Sequence, residues 1–88
     1  MDKELILKQL KVGLIAISYD TVEQADKVIM KFKELGIIKQ GDVLMSEYPN
    51  LDDIDYRVTI FPVETEWMFV PEYLNIETMD HEEFLKLF

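Results

Sequence analysis

Val12-Gly13-Leu14-Ile15-Ala16-Ile17-Ser18-Tyr19, followed without a break by Asp20-Thr21-Val22-Glu23-Gln24, decides how this chain is read. The first eight residues are apolar at both alternating sets of positions, the pattern of a strand covered on both faces or paired on both edges. Residues 12–19 are therefore expected to form a central strand. The next five hold two overlapping capping boxes, Asp20 with Glu23 and Thr21 with Gln24. In each, the short side chain accepts from a free helix amide and the longer one reaches back. Val22, Ala25, Ile29, Phe32 and Leu35 then recur every three or four residues, and Val28 widens the stripe. Glu23 precedes Lys27 by one turn, Lys31 and Lys33 lie near the negative end of the dipole, and Gly36 suits the left-handed residue that closes a helix. These signals predict a helix over about 21–35 with its stripe in the core.

Upstream, Leu5, Ile6 and Leu10 fall near helical spacing and predict a short helix in residues 2–10, although Leu5 to Leu7 could equally begin a strand. Downstream, Lys39-Gln40-Gly41-Asp42 reads as a turn, Val43 to Tyr48 as a second strand ended by Pro49-Asn50, and Leu51 to Asp55 as an acidic loop. Tyr56 to Val63 alternates with a period of two, which predicts a third strand. Glu64-Thr65 turns the chain into a fourth, Glu66 to Val70, so the last two form a hairpin. Pro71 to Ile76 is irregular. The segment 77–85, with an Asp80–Glu83 capping box, predicts a short terminal helix that docks Phe84, Leu85 and Phe88.

The fold class that follows is α+β: a mainly antiparallel sheet of about four strands, one long helix (about 21–35) on one face, and short terminal helices. A ferredoxin-like order would need a second long helix between the third and fourth strands, and the Val63–Glu66 link is too short for one. No repeat, low-complexity tract or linker divides the chain, so residues 1–88 are expected to form a single domain.

An apolar share of 49% predicts a packed core, but a chain of 88 residues buries only roughly 60–65% of the surface it exposes unfolded, which leaves little room for a deep cleft. With no cysteine there is no disulfide framework, thiolate metal site or cysteine nucleophile. The first residues lack a signal-peptide pattern and no apolar run approaches bilayer length, so the cytoplasm is the expected location. Charge is divided unevenly. Residues 1–40 hold seven lysines against six acids, plus one; residues 41–88 hold Arg57 and Lys86 against twelve acids, minus ten. This balance speaks against direct nucleic-acid or membrane binding, which need basic surface, and makes a basic protein surface the easier partner.

Candidate chemistry is sparse. His81 stands beside Asp80, Glu82 and Glu83, which favour its charged form, and consecutive helix positions diverge, so it is expected at a solvated helix start with no metal bound. Asn50, Asp52, Asp53 and Asp55 lack the glycine and glutamate of a calcium loop. Gly13, Gly36 and Gly41 are too dispersed to cradle phosphate, Ser18 and Ser46 have no readable histidine partner, and no cofactor is expected. Tyr48, Tyr56, Phe61, Trp67 and Phe69 are expected to pack as core or cross-strand pairs; a base-stacking platform among so many acids is disfavoured. One arrangement points to function. In an extended chain, residues two apart face the same way about 6.7 Å apart, so Glu64 with Glu66, and Asp53 with Asp55, could imitate successive backbone phosphates. Asp42, Glu47, Asp52, Glu72, Glu77 and the Asp80, Glu82, Glu83 group could extend a negative face.

The unit Val12 to Gly36, under a third of the chain, resembles the strand, capped helix and glycine stop common in small phage and mobile-element proteins. With the acidic second half, the chain is similar in style to phage-encoded inhibitors such as anti-CRISPR proteins and uracil-DNA glycosylase inhibitor. The likeness is one of charge and size, and no family residue transfers to a numbered position. It implies a non-enzymatic acidic protein-binding module, an inhibitor that mimics nucleic acid and occupies a basic nucleic-acid-binding surface of a host protein. Asp52, Asp53, Asp55, Glu64, Glu66, Glu72 and Glu77 are the expected contact residues. The alternatives are a small regulatory or structural domain of a larger assembly, acidic only for solubility, and an enzyme with a site shared across a homo-oligomer.

Overall fold

A computed structural model describes residues 2–47, 59–71 and 73–88. Within them the chain forms α1 (Lys3–Lys11), β1 (Ile15–Ser18), α2 (Val22–Glu34), a 3₁₀ turn (Met45–Glu47), β2 (Thr59–Val63), β3 (Glu66–Phe69), β4 (Glu77–Asp80) and α3 (His81–Leu87). The fold is α+β. The four strands make one sheet in the order β3-β2-β1-β4, with β1 parallel to β4 and the other two pairings antiparallel. The sheet is thus mixed, and three helices of 9, 13 and 7 residues share the helical content in place of one long helix.

β1 is the central strand its apolar run predicts, but it starts three residues late. Val12, Gly13 and Leu14 instead close α1: the Gly13 amide donates to the Leu10 carbonyl at 3.1 Å and the Leu14 amide to Gln9 at 2.9 Å, with Gly13 at φ +76°. This is a Schellman closure, which needs a left-handed residue that glycine adopts without strain. α2 ends the same way, through Gly36 (φ +72°), with the Gly36 amide on Lys33 and the Ile37 amide on Phe32. Its start uses the second of the two capping boxes. Thr21 Oγ1 accepts from the Gln24 amide at 3.2 Å, while Gln24 Oε1 accepts from the Thr21 and Asp20 amides.

The stripe on α2 is buried at Ala25, Val28, Ile29 and Phe32, with Val22 and Leu35 partly covered at its ends. It joins Ile6 and Leu10 of α1, Ile15 and Ile17 of β1, Ile60, Trp67, Met79 and Phe84 in one core cluster. Register aligns Phe69, Ile60, Ile17 and Met79 as a row across all four strands. α3 docks through Phe84, whose ring meets Phe32 edge-on at 5.4 Å, and Phe88 packs on Phe84.

Two elements depart from expectation. Residues 43–47 do not form a strand, because side chains take the amides a ladder would use. Asp42 Oδ1 accepts from Val43, Glu47 Oε1 from Leu44 and Asp26 Oδ1 from Ser46, and the chain winds into the 3₁₀ turn. Residues 77–80 are not the first turn of the terminal helix. They form β4, because β1 is apolar on both faces and takes a neighbour on both edges; the helix begins only at His81, with Asp80 as its cap accepting from the Glu82 amide at 3.2 Å. Of the expected third strand, 59–63 is observed, and 56–58, like Tyr48, lies outside the described residues.

Candidate acidic interaction surface

The two edges of the sheet are treated differently. Along β3 the segment 39–43 covers the outer edge: the Lys39 amide donates to the Thr65 carbonyl at 2.9 Å, the Trp67 amide to Asp42 Oδ2 at 2.9 Å, and Trp67 Nε1 to the Val43 carbonyl at 2.6 Å. Lys39 Nζ also meets Glu66 Oε1 at 2.8 Å, and that carboxylate holds the Lys39 ammonium above its usual range. Along β4, Glu77, Thr78 and Asp80 are exposed and only Met79 turns into the core.

This topology separates the residues expected to act together. Glu66 and Glu77 sit on opposite edges, with β2 and β1 between them, a separation of roughly 14 Å at ordinary strand spacing. Glu64 and Glu66 do not project as an extended pair. Glu64 occupies the first central position of the two-residue turn at φ +57°, so strand alternation does not run through it, and Glu66 is bound to Lys39. Glu64 and Glu77 are exposed. Asp52, Asp53, Asp55 and Glu72 lie outside the described residues. Asp42 and Glu47 serve the backbone, as described above.

What the structure does assemble is the corner where β4 runs into α3. Glu77, Asp80, Glu82 and Glu83 are all exposed there, and none of them is in an ion pair among the described residues. Glu82 lines a shallow groove of ≈ 440 Å³ with Gln24, Lys27, His81, Leu85 and Lys86, so two lysines stand near it; Glu77, Asp80 and Glu83 are not among its lining residues. Of these four acids only Glu77 was among the expected contact residues; Asp80, Glu82 and Glu83 were expected only as additions to a wider face. His81 is not at a solvated position as expected: it is the first residue of α3 and only 7% exposed.

A second surface was not anticipated. Val12 and Leu14 are 69% and 56% exposed where α1 turns into β1, beside a groove of ≈ 370 Å³ lined by Lys11, Gly13, Phe61, Pro62, Val63 and Glu64. Their place in the sequence, inside an apolar run, pointed to burial. Trp67 and Phe61 are buried, and Trp67 meets the Phe69 ring edge-on at 5.3 Å, while Tyr48 and Tyr56 lie outside the described residues.

Among the described residues, no group of three or more histidine, aspartate or glutamate side chains is placed to hold a metal ion, and no helix is long and apolar enough to cross a membrane. No protein-family model matches the chain, and comparisons with curated proteins and with solved structures each return no significant match.

Proposed function

We propose that this protein is a non-enzymatic binding module that docks on a basic surface of another protein, of the kind that carries nucleic acid, and competes for it. The observation that carries this reading is the β4–α3 corner. Four exposed carboxylates within seven residues stand beside a sheet edge, in the half of the chain that carries minus ten. Charges so placed raise encounter rates with a cationic surface and set orientation, while the sheet beneath keeps them in a fixed pattern. The contact set therefore centres on Glu77, Asp80, Glu82 and Glu83, with Glu64 at the far turn as a separate charge.

Affinity capture from a host-cell lysate, followed by association kinetics with each captured protein at low and high salt, tests the reading. Captured proteins are expected to be basic, with association slowing sharply as salt rises, because exposed charges are screened over about 8 Å at physiological ionic strength. Recovery of acidic or neutral partners alone, at rates indifferent to salt, would overturn it. A second reading, a structural domain within a larger assembly, has one observation in its favour: Val12 and Leu14 are large apolar side chains left open at one end of the sheet. Capture that survives high salt and is lost in Leu14→Ser would favour that alternative.

A further inference from the structure

We infer that the outer edge of β4 accepts an extended, lysine- or arginine-rich segment of the partner as a fifth strand; this rests on the reading of the protein as an acidic binding module and names the form its partner takes. A strand at a sheet edge turns alternate amides and carbonyls outward, where they template another strand. The opposite edge of this sheet is closed by the 39–43 segment, which takes the Trp67 amide and the Thr65 carbonyl. β4 has no such cover among the described residues, and three of its four residues are exposed.

The composition of β4 selects the occupant. Edges are ordinarily protected by lysine, proline or a bulge, and Glu77-Thr78-Met79-Asp80 carries none of them. Beyond its short length of four residues, its protection is negative charge, placed on both faces. Glu77 shares a face with Met79 and Asp80 shares the other with Thr78, since side chains alternate along a strand. A second copy of β4 laid along this edge would set acids against acids. A neutral strand would leave them uncompensated, whereas a strand with cations on both faces pairs with each. Glu82 and Glu83 extend the same charge past the end of the strand.

The probe is a short peptide alternating lysine with valine and threonine, compared with the same peptide N-methylated at alternate backbone nitrogens. Methylation keeps every charge and removes the donors of one edge. Titration at low salt is followed by the amide resonances of the intact protein and by their hydrogen exchange. The plain peptide is expected to shift and protect amides in residues 77–80, and the methylated peptide to bind at least about tenfold more weakly, the cost of two or three lost backbone bonds. Glu77→Lys with Glu83→Lys should weaken the plain peptide without altering the fold. Equal binding of both peptides would overturn strand addition and leave the acidic-module reading standing, as would failure of the peptide while basic proteins still dock in a salt-dependent way. Failure of peptide and basic proteins alike would remove both. Shifts confined to β2 and β3 would place the contact elsewhere and overturn the inference.

Discussion

Trp67 and Val43 are joined by a hydrogen bond of 2.6 Å from the indole Nε1–H to the main-chain carbonyl, and the Trp67 amide is held by the neighbouring Asp42 carboxylate. One buried aromatic thereby ties the loop after α2 to the edge of β3. Trp67→Phe keeps an aromatic ring in the core but strips the Val43 carbonyl of this donor. A cost of about 1–3 kcal/mol is expected from the lost hydrogen bond and reduced volume. Asp42→Ala removes acceptors for both the Val43 and Trp67 amides and should cost a similar amount. Urea midpoints read both, and unchanged midpoints would mean that the loop is not anchored there.

Phe32 is fully buried at the point where α2 meets α3, edge-on to Phe84. Phe32→Ala should cost about 3–5 kcal/mol through lost transfer energy and the cavity left behind. A denaturation midpoint equal to that of the wild type would detach α2 from the core.

Glu64 and Gly13 give opposite results for one reason. Glu64 holds φ +57°, a region that costs a residue with a Cβ roughly 1–2 kcal/mol, so Glu64→Gly should recover much of it, offset in part by added freedom of the unfolded chain. Gly13 holds φ +76°, and a Cβ there would lie 3.2 Å from the Pro62 carbonyl oxygen, so Gly13→Ala should destabilise by about 1–2 kcal/mol or more. In a domain of this size about 1 kcal/mol moves Tm by roughly 4–8 °C. Thermal scans that moved in the same direction for both substitutions would contradict the backbone geometry.

The parts of the fold that were legible in the sequence are those set by local chemistry. Thr21 and Gln24 cap α2 as their spacing requires, Gly36 closes it, and Ala25, Ile29 and Phe32 bury as the stripe demands. The elements that were misread depend on partners distant in sequence. Val43 to Glu47 has the composition of a strand, yet Asp26, twenty residues away, takes the Ser46 amide. Glu77 to Asp80 carries helix-start signals, but β1 offers an open parallel edge, and a parallel partner leaves no local trace. The same pairing decides the site. Placing β4 beside β1 moves Glu77 to the edge opposite Glu66, which no count of acids along the chain reveals.

Tyr19 adds a pH dependence. Its burial pushes the phenol from an ordinary value near 10 up to about 12. Above pH 10 the unfolded chain releases this proton while the folded chain keeps it, so stability present below pH 10 declines as pH rises toward 12. The loss from this group is on the order of 2 kcal/mol. Lysines titrate in the same window, so the informative quantity is the difference between the wild type and Tyr19→Phe. That difference should be flat up to pH 9 and open in favour of the variant between pH 10 and 12. A constant difference across the whole range would show that the phenol ionises equally in both states.

Charge on β4 should also govern self-association. Glu77 and Asp80 are the two acids of β4, which ends the sheet among the described residues, and Asp80 accepts from the Glu82 amide as the cap of α3. Glu77→Val removes one of the two charges and supplies a β-branched residue of high strand propensity, so it should turn a guarded edge into one that pairs with itself. Sedimentation velocity over a rising concentration series is expected to show a concentration-dependent increase in mass for the variant. Under the same conditions the wild type should associate less, and more at high salt than at low, because salt screens the repulsion between edges. Glu64→Val, at the tip of the β2–β3 turn, serves as the control, since it removes an equal charge away from the edge. If Glu64→Val and Glu77→Val associate equally, total charge is responsible, and the edge of β4 has no special standing. If only Glu77→Val associates, the unpaired backbone of β4 is the adhesive element, and its carboxylates are what keep it free for a partner of opposite sign.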